Sequence, residues 1–352
     1  MIKNWNKVFL EQSTRRYTDS LGMGDASANH LVDEFEDRCS QYYGRICVFM
    51  SSGTAALFFA LWHARERGFL RVAVPDRSWI ANLNVPLLLG FDVEFVDISA
   101  CSPVADWSTS DPSLYASQVV ITQLIHISGF ICDRPQEATF CVEDFSQANV
   151  RTQNCEMIGA LGEVSICSLG ITKAFSTIHG GLFLCDDVRT AQQARHFARN
   201  GVRDNLVESW GQMGLNFKPN PLGASVGLFE LDRLDTIIDR IHEVEGLYES
   251  YLGRIGLDLF KGASALRSLP LYNEIQYQGA SDLCKYLVQK GVQAKLAPPP
   301  LSSASYCSSP HEQRLHTDTF SKRIVSLPSG PDMSARAVQR VVEEIERFFD
   351  HA

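Results

Sequence analysis

Between residues 45 and 186 the chain repeatedly alternates a short apolar run with a stretch of helical or loop character. The runs are RICVFM (45–50), RVAVP (71–75), GFDVEFVDI (90–98), SQVVITQLIHISGF (117–130), TFCVE (139–143), GEVSICSL (162–169) and GGLFLCD (180–186). Runs this short, apolar without alternation, are strands covered on both faces. Strands that alternate with helices dictate an α/β domain with a mainly parallel sheet, because parallel neighbours require a crossover connection. The spacing predicts helices over 30–43, from Ser52 onward, over 76–90 with Trp79 at the opening, and over 188–200. Residues 100–117 and 211–223 are rich in Ser, Pro, Asp, Gly and Asn and are predicted to be loops.

One long amphipathic helix is predicted over 224–254. It divides the chain into a large domain (1–223), the bridging helix (224–254) and a smaller α+β C-terminal domain (255–352). The last of these contains the segment 266–277, a helix over 281–291, a strand at 292–296, a Pro/Ser-rich loop (297–310) and a final helix ending near residue 349. A chain of 352 residues accommodates this division at about 100–200 residues per domain.

The net charge of −9 provides no basic stripe for phosphate backbones and argues against a nucleic-acid partner. No stretch approaches the roughly 20 apolar residues of a membrane span, and the start MIKNWNKVFLEQSTRRYTDS has no signal-like apolar run. The ten cysteines include no C-x-x-C, so no metal site is expected. They read as reduced, buried thiols of a cytoplasmic protein.

Three places carry candidate chemistry. In SLGITKAFSTIHGG (168–181), Lys173 lies among small and apolar residues, and only His179 could add charge nearby. A poorly solvated lysine is biased toward its neutral, nucleophilic form, suited to a Schiff base with an aldehyde. The alternative is a surface lysine on a loop. Ser51-Ser52-Gly53-Thr54 ends a strand and opens a helix, which makes a cup of free amides and hydroxyls suited to a phosphate, or else a plain N-cap. Asp144 closes a strand at the carboxyl edge, where open α/β sheets collect ligands; the alternative is a turn residue.

Taken together and in order, these segments resemble the DegT-type sugar-aminotransferase group of fold-type-I pyridoxal-phosphate enzymes. SSGTAAL resembles the family's phosphate turn, VPDRSWIAN its P-x-x-[TS]-aromatic stretch, IHISG its V-H-L-Y-G, and VEDFSQA its E-D-x-x-Q-A. SLGITKAFSTIHGG resembles S-F-x-x-x-K-x-x-x-x-G-E-G-G, and LNFKPNPLGASVGLFELDRLD resembles N-Y-R-M followed by A-A-x-G-x-x-Q-L. The resemblance implies pyridoxal 5'-phosphate as cofactor, a seven-stranded, mainly parallel sheet, and a homodimer with shared active sites. It assigns the Schiff base and proton transfer to Lys173 and the pairing with the ring nitrogen to Asp144. Gln147 falls near the phenolic oxygen and Trp79 on the ring face, the alternative for Trp79 being a core tryptophan. Ser52, Gly53, Thr54 and Ser168 fall to the phosphate, with Asn216 reaching it from a partner subunit. His126 and His179 become candidate substrate contacts; the alternatives are a satisfied buried histidine and a plain loop histidine.

The chain departs from the family pattern at Ile178-His179, at Phe217-Lys218, and between Gly129 and Val142, where no helix fits. The implied reaction moves an amino group, with glutamate as donor by analogy, to a keto sugar, a nucleotide-linked keto sugar or a cyclitol. Two other readings stay open: a related enzyme with dehydratase, epimerase or carbon–carbon-bond chemistry, and a non-catalytic partner that keeps the fold.

Overall fold

The computed structural model describes residues 1–24, 27–110, 114, 120–152, 154–202, 210–262, 266–307 and 314–351. The strands are β1 (Ile46–Met50), β2 (Arg71–Pro75), β3 (Asp92–Val96), β4 (Val120–Ile125), β5 (Phe140–Asp144), β6 (Val164–Ser168), β7 (Gly181–Cys185), β8 (Asn273–Gln276), β9 (Lys295–Leu296) and β10 (Ile324–Leu327). The helices are α1 (Arg15–Gly22), α2 (Asn29–Tyr43), α3 (Gly53–Glu66), α4 (Ala81–Leu88), α5 (Val188–Phe197), α6 (Pro221–Leu231), α7 (Leu234–Arg254), α8 (Ala280–Gln289), α9 (Leu315–Arg323) and α10 (Ala335–His351).

The first seven strands form one sheet in the order β1-β7-β6-β5-β4-β2-β3. From β3 across to β6 all pairings are parallel, while β7 runs antiparallel to both β6 and β1. Helices cover both faces, and each of β4, β5 and β7 is buried along its whole length, including the polar residues Thr122, Gln123 and Glu143. Gly53, Asp144 and the Lys173 loop all lie at the carboxyl edge of the parallel strands. The expected absence of a helix between β4 and β5 holds among the described residues. Residues 117–119 of the predicted fourth strand, most of 111–119 in the predicted loop, and 308–310 lie outside the described residues.

The predicted helix over 224–254 is instead two helices. The first starts earlier, at Pro221, where Asn220 caps it by accepting from the Leu222 amide at 2.9 Å. It ends at Leu231, and α7 begins at Leu234. The break separates two packing tasks. The helix α6 is buried nearly all round and crosses α2 closely, a Cβ on Gly227 falling 2.4 Å from the Phe35 ring. The helix α7 buries Leu234, Ile237 and Ile241 in the large core, then Val244, Tyr248 and Leu252 in the C-terminal core.

That C-terminal core lies under a second sheet, β8-β10-β9. Near the chain start Ile2 bridges to Val292 and Trp5 to Ser329, while the Trp5 side chain packs in the large core. Ile2 donates to the Gly291 carbonyl and accepts from the Gln293 amide, and the predicted strand 292–296 is confined to Lys295–Leu296. All ten cysteines are unpaired; Cys101 is exposed and Cys284 and Cys307 half-buried, contrary to the reading of all of them as buried. Among the described residues no helix is long and apolar enough to cross a membrane, and no cluster of His, Cys, Asp and Glu could hold a metal.

Candidate active site

A cleft of about 450 Å³ opens at the carboxyl edge of the sheet. Its walls include Ser52, Gly53, Thr54, Trp79, His126 and Asp144, and also Gln147, Ser168, Lys173 and His179. Among the candidate residues only Asn216 is elsewhere: it is exposed on the loop before α6, bridged to Arg199.

The floor is built by backbone contact. Ser52 caps α3, its hydroxyl accepting from the Ala55 amide at 3.0 Å. The amides of Gly53 and Thr54, the first two of the helix, have no partner among the described residues. They are orphan donors at the positive end of a 14-residue helix, a ready anion site. A Cβ on Gly53 would stand 2.7 Å from the Ser168 side chain, and one on Gly181 would stand 2.3 Å from the Gly53 nitrogen. Only glycines let β1, β6 and β7 bring the cup this close to the Ser168 hydroxyl.

Asp144 ends β5 and turns its carboxylate into the cleft. Its Oδ1 accepts from the Ser146 amide and its Oδ2 from Asn82 Nδ2, both at 2.9 Å. Asn82 is in turn held by Ser78 at 2.9 Å, so the carboxylate has a fixed direction. Gln147 accepts from the Ser128 amide through Oε1 at 3.0 Å, which leaves its NH2 free to donate.

Lys173 is half-buried, and its amine makes no hydrogen bond or ion pair among the described residues. Burial lowers its pKa below the usual lysine value; the charge of Asp144 and then Cys167 oppose the shift. Asn149 pins the loop by donating to the Phe175 carbonyl at 2.7 Å. Lys7 donates to the Ala174 carbonyl at 2.7 Å and pairs with Glu230. Ile178 has φ +68°, a left-handed conformation that a β-branched residue rarely adopts.

Trp79 is 62% exposed at the mouth, which removes the core-tryptophan alternative. His126 is fully buried. Its Nδ1 accepts from the Cys132 amide at 3.0 Å, so Nε2 carries a proton and faces Glu143 at 3.1 Å. No ring nitrogen remains for a substrate, and the geometry corrects the substrate reading to a satisfied buried histidine. Glu143 points to the side of β5 opposite Asp144. Burial works against its charge, but the bond from His126 and those from Gly159 and Ser165 hold its pKa below the usual range. His179 is exposed at the rim.

A buried amine, a fixed carboxylate and an anion cup in one cleft match the order in which the chain presents them. A family model, the DegT/DnrJ/EryC1/StrS aminotransferase family, matches residues 10–346. The chain belongs to this aminotransferase family. It is similar to GDP-perosamine synthase of Escherichia coli O157:H7, 22% identical over 341 residues and 92% of each chain. It is also 22% identical over 369 residues to the UDP-4-amino-4,6-dideoxy-N-acetyl-beta-L-altrosamine transaminase of Campylobacter jejuni subsp. jejuni serotype O:23/36, covering 97% of this chain and 95% of that one. A crystal structure of a DegT DnrJ EryC1 StrS aminotransferase from Brucella abortus superposes with a TM-score of 0.84 at 19% identity, over 97% of this chain and 99% of that one. The fold is therefore that of the fold-type-I transferases.

For a DegT-family cleft, sequence reasoning missed Asn82, Ser146, Tyr272 and Lys295. Asn82 and Ser146 had a signal: one lies four residues after Ser78 on a helix, the other two after Asp144 in an Asx turn. Tyr272 and Lys295 reach the cleft from beyond α7 and had none.

Proposed function

We propose that this family member is a pyridoxal-phosphate aminotransferase that moves an amino group from glutamate to a keto sugar, a nucleotide-linked keto sugar or a cyclitol. The observation that carries the proposal is Lys173: a half-buried lysine whose amine has no partner among the described residues, in the same cleft as the Asp144 carboxylate and the orphan amides of Gly53 and Thr54. The residues fit the cofactor's parts. The two orphan amides with the hydroxyls of Thr54 and Ser168 suit a phosphate, and the fixed Asp144 suits a protonated ring nitrogen. The free NH2 of Gln147 suits a phenolic oxygen, and exposed Trp79 suits a ring face.

When bound, pyridoxal phosphate supplies an aldehyde that takes up amines and a ring that draws electrons from the adjacent carbon. The protein's part is to place and move protons. Asp144, oriented by Asn82 and Ser146, keeps the ring nitrogen protonated. Lys173, whose pKa burial lowers, would accept a proton from the substrate carbon and return it one atom away. Asn216, from a second copy of the chain, completes the phosphate site of a homodimer. Unpaired thiols are compatible with a cytoplasmic enzyme.

The test is borohydride reduction followed by peptide mapping. A pyridoxyl adduct is expected on the peptide holding Lys173; its absence there sinks the proposal. Lys173→Ala should keep cofactor binding while turnover falls by about 10³-fold or more, and a wild-type rate would remove the lysine from the chemistry. Loss of the protein's yellow colour on adding glutamate, and its return with a ketone, separates transamination from the other reactions.

A further inference from the structure

Beside the cleft is a smaller recess of about 140 Å³, lined by Asn4, Arg77, Glu274 and Ser326. Ser78, Trp79, Gln147, Tyr272 and Lys295 border both spaces, so the recess is a side chamber of the cleft. Its polar groups are deeply buried. The side chains of Arg77 and Glu274 are each 4% exposed, and their closest charged atoms are 3.8 Å apart, too far for a good hydrogen bond. Phe320 stacks on the guanidinium at 4.1 Å, and Ser128 and Ser326 donate to Glu274 Oε1 at 3.2 and 3.0 Å. These contacts fix both groups without satisfying them. Arg77 Nε, Glu274 Oε2 and Asn4 Nδ2 are buried with no hydrogen-bond partner among the described residues. Unpaired buried donors and acceptors are rare because each costs its hydration. All three, two donors and one acceptor, belong to residues that line this one recess, which points to a ligand there.

We propose that this recess is the subsite for a neutral, hydroxyl-bearing part of the amino acceptor, with Glu274 accepting from its hydroxyls and Arg77 and Asn4 donating to them. The inference rests on the aminotransferase reading of the adjoining cleft. Hydroxyls suit the recess because each both donates and accepts. Arg77 and Glu274 already balance one another, so an added carboxylate would leave one buried charge uncompensated. The volume admits one edge of a hydroxylated ring. A linked nucleotide would remain outside, past Trp79 and the exposed Lys295. Ser128 links the two spaces: its amide holds Gln147 and its hydroxyl holds Glu274.

The test uses holoenzyme pre-treated with glutamate and titrated calorimetrically. The probes are a pentahydroxycyclohexanone, a dTDP-linked and a GDP-linked 4-keto-6-deoxyhexose, and 2-oxoglutarate. At least one polyhydroxylated ketone should bind. Glu274→Gln should weaken that ketone by about tenfold or more, and 2-oxoglutarate by at most about twofold. KM for the ketone should rise with a smaller change in kcat. Arg77→Met should act in the same direction; if it does not fold, the isosteric glutamine variant carries the test. With wild-type protein, deoxy analogues of the bound ketone should include one whose missing hydroxyl costs as much as Glu274→Gln, and that analogue should be insensitive to the substitution. Binding by none of the ketones, equal binding in the variants, or a larger loss for 2-oxoglutarate each overturns the assignment. Failure of glutamate to bleach the wild-type protein would sink the aminotransferase reading, a result separate from all of these.

Discussion

The floor of the cleft and its side recess are built in opposite ways. The floor is made of backbone at strand ends, where Gly53, Ser168 and Gly181 approach so closely that a single added carbon has no space. Its polar side chains are held in place, as Asp144 is by Ser146 two residues on and by Asn82 from α4. The recess is made of long side chains from the chain start, the β2–α4 turn and the C-terminal sheet, and it keeps unpaired donors and acceptors. A floor that allows no variation suits a constant cofactor. A wall of adjustable side chains suits a substrate that differs among relatives.

The contrast breaks most sharply at Asp144. If the floor serves a cofactor ring, Asp144→Asn should lower kcat by about 10²–10³-fold while the fold persists. Unchanged kinetics would remove the carboxylate from the chemistry and leave the floor a structural joint.

Gly53→Ala comes next. The new carbon would meet Ser168 at 2.7 Å, so the cup must open. Stability should fall by about 1–3 kcal/mol, read from a urea titration, with a weaker hold on the cofactor read by equilibrium dialysis. A variant that keeps both would show that the floor yields and that the comparison is overstated.

The same contrast decides what the sequence makes legible. Each part of the floor lies within one strand–turn–helix or one loop: 46–66, 140–147, 168–181. Apolar runs, a Ser-Gly-Thr cap and an isolated lysine mark these parts without knowledge of distant contacts. The recess joins residues 4, 77, 274 and 295, and no window of sequence holds two of its charged groups. The fold follows the same rule. Strands and caps were legible, but the break at Asp232-Arg233 has neither Gly nor Pro to mark it, and Leu228 before it and Leu234 after it pack into the same core. His126 shows the limit of a positional match: its role is set by Cys132 and Glu143, and the register that brings them to the ring is tertiary.

A smaller effect concerns charge on the floor. Burial places the folded-state pKa of Lys173 below its unfolded value. Between the two values the unfolded chain binds a proton that the folded chain has released, so stability rises with pH across that window and falls as pH drops through it. In protein freed of cofactor, Lys173→Met should reduce this slope in denaturation curves measured between neutral pH and the unfolded lysine value. Lys7, whose pKa is also lowered mainly by burial, accounts for a remaining slope. An unaltered slope would mean that the Lys173 amine is solvated, and the floor would lose its nucleophile.

The smallest effect tests whether the floor is over-determined. Ile178 holds φ +68° two residues before Gly180, in a loop fixed by the bonds from Thr177 to Leu169 and from Leu169 to Gly180, both 2.9 Å. Left-handed backbone costs an ordinary residue about 1–2 kcal/mol, and glycine adopts it freely at an entropic cost of about 0.5–1 kcal/mol. Ile178→Gly should therefore stabilise the fold by up to about 1 kcal/mol, read from the urea midpoint, whereas Ile178→Ala keeps the strain and should not. If the glycine variant is less stable, the half-buried isoleucine side chain contributes more by packing than its backbone loses. The loop would then be held by side chains, as the recess is, and the division between a backbone-built floor and a side-chain-built wall would fail at the rim beside His179.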